Sequence, residues 1–157
     1  MFIRSERLFL RPAWPEDGAD IHQVLGADTR FGAASPRHPQ FLITLPDHRG
    51  AHVVGIIGLS NVEGESELGV WIAPACQRQG FATEAARAAL TLARTLGHCR
   101  LIATPNADCT ASRRMLARLG FVPTGQVRQN PTREVHALDL CAPASDPVDP
   151  EMMQRAA

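Results

Sequence analysis

The sequence predicts a single α+β domain. The chain has 157 residues, which is the length of one ordinary domain that buries its own core. Short apolar, partly β-branched runs are separated by longer runs of helical period. The predicted order is strand, helix, three strands, helix, strand, helix and two strands, which is typical of an α+β fold.

The N-terminal part predicts a strand, a helix and a loop. "RLFLRPA" at 7–13 is typical of a strand. In "PEDGADIHQVLG", Ile21, Val24 and Leu25 have helical spacing, and Gly26 ends the helix. "ADTRFGAASPRHPQ" follows and is rich in helix breakers, so we expect a loop there.

Three strands follow this loop. "FLITLP" and "AHVVGIIGLS" are apolar runs joined by the polar "DHRG", which predicts a hairpin. "SELGVWIA" at 66–73 is the next predicted strand.

The C-terminal part predicts a helix from Thr83 to Leu96 and a second helix ended by Gly120. Three strands complete it, namely "RLIATP", "FVPTGQV" and "REVHALDL". From Ala142 on, the chain has three prolines and no periodicity. We therefore expect a domain over residues 1–141 and a poorly ordered tail over 142–157.

Composition excludes several classes of partner and site. Sixteen basic residues balance sixteen acidic ones, so no long-range field attracts nucleic acid or an anionic membrane. The four cysteines form no C-x-x-C pair and the six histidines show no ligand spacing, so we expect reduced thiols and no metal. The N-terminus lacks the apolar core of a signal peptide and no segment has the length of a membrane span, so we expect a soluble cytoplasmic protein.

The junction "QRQGFAT", residues 77–83, leads directly into a predicted helix. Gly80 permits a backbone geometry that a side chain would hinder, and Ala82 keeps the approach open. The unpaired amides at the positive end of the helix dipole then form an anion site, to which Arg78 adds a charge. The alternative is a tight turn with nothing bound. The chain has neither a G-x-G-x-x-G pattern nor the Lys-Ser/Thr pair of a P-loop, so Rossmann and NTPase sites do not fit.

"QRQGFA" resembles the Q/R-x-x-G-x-G/A signature of the GNAT superfamily of acyl-CoA N-acyltransferases. "RLFLRPAWPEDGADIHQVL", "GIIGLS", "ELGVWIAP" and "ASRRMLARLGF" stand in the order seen in the ribosomal-protein-alanine N-acetyltransferase branch, so the resemblance extends from Arg7 to about Leu140. It implies a mixed, mainly antiparallel sheet of about six to seven strands flanked by helices, with two strands splayed around acetyl-CoA. It also implies direct acetyl transfer to a primary amine, either a protein N-terminus or a small amine.

The same resemblance implies which residues hold the cosubstrate. The backbone of Val70, Trp71 and Ile72 would bind the pantetheine arm. The pyrophosphate would be held by Gln77, Arg78, Gln79, Gly80, Phe81, Ala82 and Thr83. Cys109 occupies a position where this branch usually has an asparagine that contacts the coenzyme or the helix start.

Glu67 is the candidate base, acting directly or through a water molecule. On a strand Glu67, Gly69 and Trp71 share one face, so the carboxylate lies beside a small residue that leaves space. The alternative is a solvated carboxylate at a strand end.

Ser112 is the candidate group that meets the departing thiolate. It is in register with Met115, Leu116 and Leu119, so it lies on the apolar face of its helix. The alternative is a small core serine bonded to its own helix. The neighbouring Cys109 is either a proton source or a small buried thiol.

Three further features bear on the reaction. The chain has no tyrosine, so the tyrosine general acid of many GNAT enzymes is absent. The loop "FGAASPRHPQ" replaces a second helical segment that walls the acceptor groove in the family, so the groove is either open or completed by a second subunit in a homodimer. Arg113, Arg114 and Arg118 either meet an acidic partner or the 3′-phosphate of the coenzyme, or form a solvated helix face.

The sequence therefore favours an acetyl-CoA-dependent N-acetyltransferase that forms no covalent enzyme intermediate. Two alternatives remain open. One is a non-catalytic module that binds acyl-CoA or a protein partner and has a degenerate catalytic site. The other is a protein that shares the fold and binds something else.

Overall fold

The computed structural model describes residues 1–25 and 34–141. Across these residues eight strands form one sheet in the order β1-β2-β3-β4-β5-β6-β8-β7. The strands are β1 Ile3–Arg4, β2 Phe9–Arg11, β3 Gln40–Asp47, β4 Gly50–Val62, β5 Glu65–Ile72, β6 Arg100–Ala103, β7 Val122–Val127 and β8 Asn130–Asp139. The helices are α1 Gly18–Leu25, α2 Phe81–Thr95 and α3 Thr110–Leu119. The α+β prediction is confirmed.

The order of the main elements follows the prediction, with differences of detail. The two-residue β1 was not predicted, because Ile3–Arg4 is too short to show any period. A single 3-10 turn, Pro15–Asp17, precedes α1 within the predicted helix. Helix α2 begins at Phe81 rather than Thr83. Gly26, residues 27–33 of the predicted loop and the predicted tail over 142–157 lie outside the described residues.

The two faces of the sheet carry different helices. Alternate residues of β3, β4 and β5, such as Phe41, Ile57 and Leu68, belong to a buried cluster with α2 and with Leu116 of α3. We call this side the α2/α3 face. Leu42 and Ile56 are buried on the other side, which α1 contacts through β4 and which we call the α1 face.

Helix α2 packs closely on its face because its buried positions are mostly alanine. The buried residues are Phe81, Ala85, Ala86, Ala89, Leu90 and Ala93. Small side chains let the helix axis approach the sheet, and alanine loses no rotamer freedom in a helix. Among the described residues, no helix is long and apolar enough to cross a membrane.

Strands β5 and β6 are the parallel pair that α2 connects. They are in register at Glu67 and Ile102, and this is their one ladder position among the described residues. Beyond it β5 continues to Ile72, while β6 ends at Ala103. The sheet therefore opens into a gap at the carboxyl ends of these two strands, in agreement with the predicted splay.

Cys99 and Cys141 form a disulfide, with their Cα atoms 4.9 Å apart. It joins the residue before β6 to the chain just after β8. The prediction of four reduced thiols is wrong for these two residues, because contact between residues 42 positions apart leaves no trace in local spacing. Cys76 and Cys109 are free thiols.

Candidate active site

The loop before α2 has the conformation that an anion site needs. Gly80 is the N-cap of α2 with φ of +79°, a left-handed geometry that favours glycine. Arg78 also has positive φ, at +63°. The first backbone bond of the helix runs from the Glu84 amide to the Gly80 carbonyl, at 3.1 Å. The amides of residues 81–83 precede that bond, so they point out of the positive end of α2.

Arg7 braces this loop from the N-terminal strand region. Its Nη1 donates to the Gln79 carbonyl at 2.8 Å, and its Nε donates to Glu84 Oε2 at 2.8 Å. The guanidinium also lies over the Phe81 ring, 4.7 Å from the centroid. A Cβ atom on Gly80 would lie 3.3 Å from Arg7 Nη2. The loop is thus a cradle with a cation at its edge, which fits an anionic group, and a side chain at Gly80 would crowd it.

Glu84 is the carboxylate that holds Arg7 in this position. It accepts hydrogen bonds from Ser5 Oγ at 2.6 Å and from the Arg7 amide at 2.7 Å. Burial would raise the pKa of Glu84, but these hydrogen bonds and the ion pair with Arg7 hold that pKa below its usual value. Arg7 and Ser5 were not predicted as parts of the site, because each is more than seventy residues from its partner in the chain. Glu84 was predicted only as a polar residue of the exposed helix face, because its partners are these two distant residues.

The end of β5 lines the gap, as predicted for Val70, Trp71 and Ile72. Val70 packs against the buried cluster, and Trp71 lies on the α1 face with 42% of its surface exposed. The Ile72 carbonyl accepts a hydrogen bond from Gln77 Nε2 at 3.1 Å. The side-chain amide of Gln77 is therefore bonded to the end of β5.

Glu67 lies on the α1 face, beside Gly69 and Trp71, because its neighbour Leu68 belongs to the buried cluster of the other face. The predicted alternation along β5 is confirmed, and its pairing with β4 is continuous from Glu65 to Ile72. The carboxylate is half-buried and accepts a hydrogen bond from Thr104 Oγ1 at 2.5 Å. The fully solvated alternative for Glu67 does not fit this contact.

Ser112 and Cys109 are in contact at the start of α3. Ser112 is half-buried on the same side of the helix as Leu116, and the Cys109 thiol donates to its Oγ at 3.2 Å. When the thiol ionises, the Ser112 hydroxyl and amide can donate to the thiolate, and this lowers the pKa of Cys109. Cys109 is exposed, so the interpretation as a small buried thiol is wrong. It is the N-cap of α3 but makes no side-chain cap.

Arg113 is more than a solvated side chain. Its Nε lies 3.2 Å from Glu134 Oε2, and His136 Nε2 bonds the same oxygen at 2.8 Å. The hydrogen bond from His136 is the main reason that the pKa of Glu134 lies below its usual value. Arg114 and Arg118 are exposed, as the solvated alternative expects.

The topology brings these groups to one edge of the sheet. Because β5 and β6 are parallel, α2 and α3 both begin at the edge where those strands end. The amide loop and Ser112 therefore flank the gap on the α2/α3 face, while Glu67 reaches it from the α1 face. The topology therefore puts the 77–83 loop, the end of β5 and the start of α3 at the same edge of the sheet.

Comparison with known proteins decides the family. Residues 27–122, well over half of the chain, match the profile of the Acetyltransferase (GNAT) domain. The chain belongs to the GNAT acetyltransferase family. It is an acyltransferase, and the family's acyl donor is acetyl-CoA. No curated protein matches this acetyltransferase significantly.

Solved structures show the same fold. The GNAT-family acetyltransferase from Bacillus anthracis has a TM-score of 0.72 at 22% identity and covers 89% of this acetyltransferase and 99% of its own chain. An acetyltransferase from Agrobacterium tumefaciens has a TM-score of 0.71 at 21% identity, covering 88% and 94%. Mycobacterium smegmatis RimJ, solved in complex with CoA-disulfide, has a TM-score of 0.68 at 21% identity, covering 84% and 81%.

Proposed function

We propose that this acetyltransferase moves the acetyl group of acetyl-CoA directly to a primary amine, on a protein N-terminus or a small molecule. The observation that carries the proposal is the gap between β5 and β6. It has an amide cradle on one face of the sheet and the carboxylate of Glu67 on the other.

The cradle before α2 would take the pyrophosphate. The amides of residues 81–83 would donate to it, and the helix dipole favours its negative charge. Arg78 would add a full charge, and Arg7 a partial one, because Arg7 is also paired with Glu84. Gln79 and Gly80 shape the turn, and Arg7 holds that turn through the Gln79 carbonyl. The backbone of residues 70–72 would bind the pantetheine arm in the place where β6 would otherwise continue the ladder.

Glu67 would accept the proton that the amine loses. The bound cosubstrate supplies a thioester whose carbonyl carbon the neutral amine attacks. The carboxylate stands on the α1 face, where Gly69 leaves room for an amine to approach. Trp71, exposed on the same face, offers an apolar wall for the acceptor.

Ser112 and Cys109 would donate to the sulfur of the departing coenzyme A thiolate. The Ser112 hydroxyl is at the start of α3, on the face opposite to Glu67, so the two groups reach the reacting centre from different sides. Cys109, with its lowered pKa, is a proton donor within hydrogen-bond distance of that hydroxyl. This pair takes the place of the tyrosine that the chain lacks.

The experiment is acetyl transfer to a panel of peptides and small amines, followed by mass spectrometry. We expect Glu67→Gln to lower kcat about a hundredfold or more, the usual size of a general-base effect. Ser112→Ala should lower kcat by a smaller factor, because a water molecule can protonate the thiolate. Glu65→Gln is the matched control, since this exposed carboxylate is on the same strand and pairs with Arg100. Equal activity of the wild type and Glu67→Gln would contradict the assignment.

The second candidate is a module that binds acyl-CoA without efficient turnover. It is favoured by Cys109, the N-cap of α3, which makes no side-chain cap. The branch that the sequence resembles usually has an asparagine there. Saturable acetyl-CoA binding in a calorimeter without transfer to any amine would support this candidate. Measurable turnover that depends on Glu67 would exclude it.

A further inference from the structure

Thr104 is the first residue after β6, and it stands where the gap opens. Its Oγ1 donates to Glu67 Oε1 at 2.5 Å, across from the neighbouring strand. Thr104 and Glu67 are 37 positions apart in sequence. A hydrogen bond to an ionised carboxylate is among the stronger side-chain contacts in a protein. The contact therefore fixes one oxygen of the candidate base.

The backbone of Thr104 is itself held from the opposite side. Arg133 of β8 donates to the Thr104 carbonyl through Nε at 2.9 Å and through Nη2 at 2.6 Å. Glu134 N–H also donates to the Pro105 carbonyl at 3.0 Å. Strand β5 no longer pairs with the chain at Thr104, so the Thr104 carbonyl needs another hydrogen-bond donor. The Arg133 guanidinium supplies two donors.

The alternation of side chains places these groups on one face. Ala103 is part of the cluster on the α2/α3 face, so Thr104 points to the α1 face together with Ile102 and Glu67. On β8, Ala137 is opposite Ile102. Arg133 is four residues before Ala137, so its side chain is on the same face of the sheet. A chain of contacts thus runs from Arg133 to Thr104 to Glu67 along the side from which an acceptor would approach.

We propose that Thr104, held by Arg133, is the positioning residue of the base Glu67. The inference rests on the proposed function. Thr104 holds Oε1, so Oε2 is the oxygen that takes the amine proton. A glutamate side chain has several rotatable bonds, and the hydrogen bond removes that freedom before the substrate arrives. Arg133 keeps Thr104 in place by replacing the strand partner that its carbonyl has lost.

The test uses Thr104→Val, which keeps the branched shape and removes the donor, and Thr104→Ser, which keeps the donor. We expect Thr104→Val to lower kcat about tenfold or more, the usual effect of losing a hydrogen bond to a charged group, with the KM for acetyl-CoA unchanged. Thr104→Ser should stay within about threefold of wild type. Thr124→Val on β7 is the control, because that exposed threonine bonds only the Val135 carbonyl among the described residues.

A double-mutant cycle separates positioning from simple stabilisation. If Thr104 acts through Glu67, adding Thr104→Val to Glu67→Gln should cause no further loss of kcat. Arg133→Gln should lower kcat less than Thr104→Val does, and it too should add nothing in the Glu67→Gln background. A melting temperature for each variant shows whether the fold is kept.

The outcomes are distinguishable. Unchanged kcat in Thr104→Val, with Glu67→Gln impaired, would overturn the inference and leave the proposed base in place. Equal losses from Thr104→Val in both backgrounds would also overturn it, since the threonine would then act independently of Glu67. Full activity of Glu67→Gln would overturn the base and the inference together while acetyl transfer stands. No transfer by the wild type would overturn the proposed function itself.

Discussion

The two parts of the sheet on either side of the gap are built differently. The N-terminal part, β1 to β5, contains the 13-residue β4, which pairs with its neighbours along nearly its whole length. Its strands contribute more residues to the buried core than the C-terminal part of the sheet does. The C-terminal part, β6, β8 and β7, has a four-residue strand against the gap and an edge strand that is largely exposed. Its contacts include a disulfide and ion pairs.

This difference indicates how a sheet can keep a gap open. The N-terminal part is stabilised by apolar burial, which is non-directional and tolerant of small changes. The C-terminal part buries less, so directional contacts set its position: the Cys99–Cys141 bond, the Arg133 contact with Thr104 and the Arg113–Glu134 pair. We expect loss of these directional contacts to loosen the second part of the sheet before it loosens the first.

The disulfide gives the largest expected effect. In the chain-entropy model, closing a loop of this length stabilises a protein by about 4 kcal/mol. A Cys99→Ser/Cys141→Ser variant should lose stability by about that amount in denaturant unfolding. Its amide hydrogen exchange should rise in β6 and β8 while β3 to β5 keep their protection. Cys76→Ser is the control, and a uniform rise in exchange across the sheet would contradict the comparison.

Gly80→Val tests the cradle at the start of α2. The valine would sit at positive φ and crowd Arg7, so we expect acetyl-CoA affinity to fall about a hundredfold in calorimetry. Gly64→Val is the matched control. Gly64 has φ of +86° with open space around its Cβ position, so this variant carries similar strain away from the site. Equal loss of affinity in both variants would show a general effect of strain.

Asp17→Asn tests the buried ion pair of the N-terminal part. Asp17 bonds Arg11 through both oxygens at 2.7 Å, and this contact lowers its pKa from 3.8 to about 2. The depressed pKa means that the stabilisation is present above pH ~4 and is lost as the pH falls toward 2. The variant should be less stable by about 2 kcal/mol or more at pH 7.

The difference between wild type and Asp17→Asn should therefore shrink between pH 4 and pH 2, measured by urea unfolding at each pH. A difference that stays constant over this range would mean that the carboxylate charge does not stabilise the fold. The activity per folded molecule at pH 7 should stay near that of the wild type, because Asp17 contacts no group of the candidate site among the described residues.

Arg7→Gln has the smallest expected effect. It removes a charge at the edge of the cradle and the hydrogen bond to Gln79, so acetyl-CoA should bind about tenfold more weakly, and the loss should diminish at high salt. Arg4→Gln on β1 is the control for loss of a positive charge in the same region. If Arg7→Gln and Arg4→Gln bind acetyl-CoA with equal affinity, the charge of Arg7 does not contribute to binding and Arg7 only supports the loop.

Local features were predictable from sequence and distant contacts were not. The Gly80 turn and the alternation of Glu67, Gly69 and Trp71 follow from residues that are neighbours in the chain, and the structure has both. Thr104 meets Glu67 across 37 positions and Arg133 meets Thr104 across 29. Arg7 reaches the cradle across 72. Such partners depend on how strands are paired, which a single sequence does not encode in any local period.

Trp71 also gives the protein an optical signal. The chain has two tryptophans and no tyrosine, so its indole fluorescence comes from Trp14 and Trp71 without a tyrosine background. Trp14 stacks with Arg11, 4.2 Å from the guanidinium carbon to the ring centroid, at the start of the first helical segment. Trp71 stands on the gap-lining strand, half in solvent. Occupancy of the gap should therefore change the fluorescence of one indole and leave the other as an internal reference.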